Sequence, residues 1–115
     1  MKKLKRKSLI KKLDKLFADR IKQVGKCQRC SKVENLQCAH IFGRRNYAVR
    51  WDLMNALCLC WYCHFVFAHQ NPIEFVEFVK SHLGESEYNL LRNRAMQIVK
   101  YSTDDLLKIL EDLKK

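Results

Sequence analysis

Residues 27–30 read CQRC and residues 55–64 read NALCLCWYCH. Each stretch contains a C-x2-C pair, Cys27 with Cys30 and Cys60 with Cys63, and 29 residues separate the pairs. Two thiolates three positions apart can bite one ion from a tight turn, and two such knuckles complete a tetrahedral four-sulfur site suited to zinc. Six cysteines in 115 residues also permit disulfides. Against them stand the knuckle-like spacing and the lack of a secretory signal, because thiols of an intracellular chain are kept reduced. The spacing therefore predicts one structural Zn2+ on Cys27, Cys30, Cys60 and Cys63, clamping the two ends of an irregular middle region. Such a site contributes on the order of 10 kcal/mol, comparable to the whole stability of a small domain. Cys38 and Cys58 read as small buried thiols; Cys58 is the one substitute ligand, through a C-x-C bite with Cys60.

Upstream of the first knuckle the composition changes sharply. Residues 1–26 hold eleven basic and two acidic side chains, so nine units of the net +11 sit in the first quarter of the chain. Leu9, Ile10, Leu13, Leu16, Phe17, Ile21 and Val24 recur at three- and four-residue steps, which predicts a basic amphipathic helix with lysine on its outer face. Concentrated beside a cysteine-rich segment, the charge of Lys2, Lys3, Lys5, Arg6, Lys7, Lys11 and Lys12 points to a polyanion partner. Nucleic acid fits better than acidic lipid, since the apolar stripe has no tryptophan and a single aromatic residue. Lys11, Lys12, Asp14 and Lys15 interrupt any secretory h-region, and no run approaches the roughly 20 apolar residues of a membrane span. The expectation is a soluble, unprocessed, cytoplasmic chain with no membrane partner.

Downstream, Gly25 marks a helix stop, and residues 26–52 show no helical period. Leu36–Phe42 and Val49–Trp51 are predicted as two short strands around a loop that carries Gly43, Arg44, Arg45 and Asn46. Asn71, Pro72 and Glu74 read as N-cap, first helical position and capping-box acid of a helix running to Leu83, with Gly84 closing it. A further helix is predicted over Ser86–Val99, and a last one from Ser102 or Thr103. Three glycines and one proline leave helix as the default local state. The fold class is thus α+β, mostly helical, in a single domain spanning 1–115. It divides into the basic helix (1–26), a zinc-supported core (27–71) and C-terminal helices (72–115). Trp51, Trp61, Tyr62, Phe65 and Phe67 read as core and zinc-site packing.

Between the knuckles lies CAHIFGRR with His40, and the second knuckle is followed at once by His64. The order His40, Asn55, His64 resembles the HNH endonucleases, whose ββα-metal motif runs from a strand histidine through an asparagine to a histidine opening a helix. The segment Asn55–His64 follows the N-x4-C-x2-C-H form of the zinc-supported subfamily. KKLDKLFADRI, KCQRC, LQCAHIFGRR, VRWDLMNALC and CHFVFAHQNPIEFVEF are together similar, in order and spacing, to the phage NinG (Rap) recombination nucleases. The resemblance runs from about Leu9 to about Arg94.

The resemblance implies metal-dependent hydrolysis of DNA phosphodiester bonds, with branched DNA such as a Holliday junction as substrate and, for a phage protein, the host cytoplasm as location. It makes His40 the candidate general base, His64 the ligand of a catalytic Mg2+ or other divalent ion, and Asn55 the residue that ties the loop and holds His40. Many HNH enzymes carry Asp or His just before the base; here that residue is Ala39, so a second ligand must come from elsewhere. His69 is the candidate, although five residues on an unbroken α-helix turn it about 140° from His64, so a bend or helix end is required. Cys38 shares the strand face of His40 and is a weaker candidate. Arg44, Arg45 and Arg50 suit phosphate oxygens, and the leader cations add sequence-independent, salt-sensitive attraction. The alternatives are an HNH enzyme of nicking or restriction type and a zinc-ribbon DNA-binding module without catalysis. The apolar stripe Leu106, Leu107, Ile109, Leu110 and Leu113 offers a face either to a second copy or to the chain's own core.

Overall fold

The structure, a computed structural model, describes residues 5–115, and Lys2 and Lys3 of the basic leader lie outside them. Helix α1 (Arg6–Lys22) buries Leu9, Leu13, Phe17 and Ile21. Four-residue steps on a 3.6-residue helix drift slowly, so these four side chains form one continuous seam. Val24, counted in the stripe by periodicity, is 48% exposed, because the helix has ended and Gly25 turns the chain at φ +82°.

The expected hairpin is corrected by the structure. Strand β1 (Leu36–His40) pairs antiparallel with β2 (Ala56–Cys60), Leu36 opposite Cys60 and His40 opposite Ala56. Val49–Trp51 is not the partner strand. Tyr47–Val49 and Leu53–Asn55 are single 3-10 turns, closed by bonds such as Val49 N–H to the Asn46 carbonyl and Asn55 N–H to the Asp52 carbonyl. The sequence ALCLC hides β2 because all five residues are buried. A strand covered on both faces loses the alternation by which strands are recognised.

One face of this small sheet is covered by α1 and by α4 (Thr103–Lys114), whose Leu106, Leu110 and Leu113 cluster with Leu9, Leu13 and Cys58. Leu106, Leu110 and Leu113 of the C-terminal stripe are therefore filled by the chain's own core, while Leu107 stays 39% exposed. Ser102 starts α4 with a full capping box to Asp105. The other face carries Ala39, Leu57 and Leu59 against Cys63, Ala68, Phe75 and Val79. These belong to a wide helical segment, Tyr62–Ala68, with i→i+5 geometry, and to α2 (Pro72–Leu83). Asn71 does not cap α2 with its side chain; its Nδ2 donates to the Val66 carbonyl instead. Gly84, at φ +88°, joins α2 directly to α3 (Glu85–Ala95), which stops four residues short of the predicted Val99. Among the described residues no helix is long and apolar enough to cross a membrane.

Candidate functional site

The two knuckles converge. The Sγ atoms of Cys27, Cys30, Cys60 and Cys63 all lie within 4.8 Å of one another. A tetrahedral site with Zn–S near 2.3 Å needs sulfurs about 3.8 Å apart, and Cys30 and Cys60 stand at 3.6 Å. The first knuckle is shaped by its own backbone: Ser31 N–H donates to the Cys27 carbonyl, Cys30 N–H points at Cys27 Sγ, and Ser31 adopts φ +68°. It docks on the outer edge of β2, where Gln28 N–H donates to the Cys58 carbonyl and Gln28 Oε1 accepts from Cys58 N–H. Cys60 ends β2 and Cys63 lies in the first turn after it, so strand and helix deliver the second pair.

Two of the four thiols are shifted in opposite directions. Burial raises the Cys27 thiol, but backbone N–H groups of Cys30, Cys60 and Arg29 outweigh it and bring the pKa down to about 6. Burial and the neighbouring thiols push Cys63 up to about 12, against the pull of Arg29. Four crowded thiolates repel one another unless a metal ion lies between them. The donor set, spacing and N–H···S bonds all fit one structural zinc. Arg29, missed by sequence reasoning, adds a positive charge beside it: Nη1 is 3.4 Å from Cys63 Sγ and the guanidinium covers the Phe67 ring at 3.5 Å.

The histidines gather in an adjoining open groove of about 490 Å³, lined by Asp14 and Ala18 of α1, Cys38 and His40 of β1, Gly43 and Arg44, and His64 and His69. His40 stacks on Phe17, ring centroids 5.3 Å apart, and its Nε2 lies 3.2 Å from the Arg50 carbonyl. A nitrogen facing a carbonyl must carry the proton, so Nδ1 keeps its lone pair. Burial, helped by the charges of Arg44 and Arg50, holds the His40 pKa below the ordinary 6.5, while the Arg50 carbonyl and Asp14 pull the other way. His64 presents Nδ1 to Gln37 Oε1 at 2.8 Å, the outer contact that fixes a ligating imidazole with Nε2 as its donor atom. Its pKa is lowered by burial, then by His69 and His40.

His69 stands beside His64, ring centroids 4.8 Å apart. The bend that a five-residue spacing demands is supplied by the i→i+5 segment, in which residues five apart return close to the same face. Cys38 faces the groove as a neutral thiol, its pKa raised by burial to about 11 even with Lys22 near. Asn55 is fully buried: Oδ1 accepts from Phe42 N–H at 2.8 Å, and Nδ2 donates to the carbonyls of Phe42 and Val49 at 2.9 and 3.0 Å. It thereby closes the 42–49 loop next to His40.

The basic residues sort into different roles. Arg50, expected on phosphate, is locked in a fork onto Asp14 at 3.1 and 2.7 Å, and Trp51 Nε1 donates to the same carboxylate. Its guanidinium is spent inside the fold. Arg44 and Arg45 remain exposed. On α1, Lys7 and Lys11 share the strip of Asp14 and Ala18, whereas Lys5 and Lys12 lie more than roughly 100° further round at 100° per residue. Arg6 is held by the Tyr101 carbonyl. Lys15 and Lys22 lie beside the strip of Asp14 and Ala18 and pair with Asp19, at 2.9 and 3.8 Å. Comparison with protein-family models, with curated proteins and with solved structures finds no match to this chain.

Proposed function

We propose that this protein is a zinc-supported, metal-dependent DNA endonuclease of the HNH type. The observation that carries the reading is the pairing of two oriented imidazoles, His40 and His64, on one groove that Arg44 also lines. His40 Nδ1 takes a proton from the water that attacks phosphorus, while the Arg50 carbonyl steadies Nε2–H and the imidazolium that forms. The new O–P bond replaces the bond to the leaving oxygen. His64 Nε2, with His69 beside it, would hold a divalent ion such as Mg2+. The chemistry that ion supplies when bound is positive charge at the phosphate and leaving oxygens. Asn55 acts at one remove, by fixing the loop whose Arg50 carbonyl orients His40. Arg44, Lys7 and Lys11 attract the phosphate backbone without reading bases.

Within that class, the motif order supports a phage-type recombination nuclease acting on branched DNA. The test is cleavage of a four-way junction and a linear duplex, at equal salt, by zinc-loaded wild type, His40→Ala and His64→Ala. Wild type should cut with Mg2+ and prefer the junction, and both variants should bind yet lose at least a hundredfold in rate. Binding without cleavage under Mg2+ and Mn2+ would leave a zinc-ribbon DNA-binding module; equal cutting of both substrates would leave a nicking or restriction role.

A further inference from the structure

Trp61, Tyr62 and Phe65 read in sequence as packing residues, yet they are 52, 54 and 38% exposed. Trp51, of the same kind, is 7% exposed, and Phe67 packs against the α2-side core. Two of the three exposed rings lie along one path. Trp61 is 5.9 Å from Phe65, and Phe65 is 4.5 Å from His64 and 5.5 Å from His69. An aromatic row thus leads out of the histidine groove along the Tyr62–Ala68 segment. At its far end Trp61 and Tyr62 form one wall of an open cleft of about 440 Å³, faced by Ser31, Lys32, Val33, Glu34 and Asn35 of the loop after the first knuckle. That volume falls in the range of small-ligand sites.

Charge divides the two sides of the groove. No charged residue occurs between Asp52 and Glu74, so the aromatic segment itself offers ring faces, and the charges facing Trp61 and Tyr62 across the cleft are Lys32 and Glu34. Arg44 lines the groove next to Asp14 and Ala18 of α1, and Lys7 and Lys11, exposed on α1, share the helical strip of those two residues. A nucleic-acid strand crossing His40 and His64 would meet cations on its phosphate side and flat apolar rings on its base side. Bases in duplex are already stacked on one another and cannot use such rings; unpaired bases can.

We propose that the Trp61–Tyr62–Phe65 row is a stacking platform for unpaired nucleotides next to the scissile phosphate, which selects DNA containing single-stranded segments. The inference rests on the nuclease reading for the position of that phosphate. Base stacking itself is testable without cleavage.

The experiment uses the zinc-loaded full chain without Mg2+. A single-stranded 12-mer and the corresponding duplex are titrated, read by tryptophan fluorescence and by anisotropy of labelled DNA. Single strand should quench Trp61 in wild type, and duplex should not. Trp61→Ala and, separately, Phe65→Ala should weaken single-strand binding roughly 5- to 150-fold, the loss of one stacked base, and leave duplex binding within about twofold. Zinc content and Tm should be unchanged; because the rings are exposed, Phe65→Ala and Tyr62→Ala stand in if Trp61→Ala loses zinc. No quench, or equal loss on both DNAs, overturns the proposal. So does a wild-type dimer that Trp61→Ala dissociates, which would make the row a self-association face. Quench with no cleavage under Mg2+ overturns only the nuclease reading; cleavage with platform variants that bind single strand normally overturns only the platform.

Discussion

Asn55→Ala is the substitution whose cost the structure states most clearly. The side chain is fully buried and makes three hydrogen bonds to backbone, two of them with Phe42 and one with the Val49 carbonyl. Val49 keeps a second partner in Asp52 N–H, so truncation strands mainly the N–H and carbonyl of Phe42. A buried polar group left without its partner costs about 1–3 kcal/mol. Two such groups plus the lost volume give a destabilisation of about 3–5 kcal/mol, a large share of the roughly 5–15 kcal/mol of a small domain. Asn55→Asp keeps the bond from Phe42 N–H but turns a carboxylate toward two carbonyl oxygens, so it should be damaging at neutral pH and partly relieved as the carboxyl protonates. The assay is urea unfolding with saturating zinc, followed by Trp51 fluorescence in a Trp61→Phe background that silences the exposed indole. A loss below about 1 kcal/mol for Asn55→Ala would mean that Phe42 finds other partners, and that the loop is not held by Asn55.

Three further outcomes are expected. One zinc per chain should be found by metal analysis, and strong chelation should unfold the whole domain cooperatively, since metal binding on the order of 10 kcal/mol matches the domain's total stability; a chelated chain with unchanged circular dichroism would contradict this. Asp14→Asn should cost about 2–4 kcal/mol in the same urea assay, because it leaves the Arg50 guanidinium, only 12% exposed, without its counter-charge and weakens the bond to Trp51; a loss within 0.5 kcal/mol, about what a surface substitution costs, would show that solvent screens the pair. Burial lowers the His40 pKa below 6.5, so the unfolded chain takes up a proton before the folded one does, and stability is lost as pH falls through 6.5 toward the folded value. His64, its pKa lowered likewise, adds a loss in the same window, so His40→Gln should make the decline shallower without abolishing it; an equally steep decline would assign it to other groups.

How much of this was legible in sequence follows from which signals are local. The knuckles could be read because two thiols three apart imply a shared ion whatever the fold around them, and α1 and α4 because their apolar steps match the helical period. β2 could not, since ALCLC is buried on both faces and shows no alternation. Arg50 was misread for a related reason: a guanidinium looks the same in sequence whether it meets phosphate or the single carboxylate of Asp14, 36 residues away. His69 depended on helix pitch, because only an i→i+5 turn returns it to the side of His64, and no residue pattern announces that turn. The exposed aromatics were hidden by density, as hydrophobic neighbours in sequence do not say which ring faces water.

In the proposed function His40 and His64 serve one phosphodiester. Single-turnover cleavage of a junction by zinc-loaded protein, with Mg2+ titrated against wild type and His64→Ala, measures that most directly. A saturable Mg2+ dependence in wild type, abolished or shifted to much higher Mg2+ in His64→Ala with zinc content intact, is the predicted result. Cleavage by His64→Ala with the wild-type Mg2+ profile, or none by wild type at any Mg2+, would contradict it.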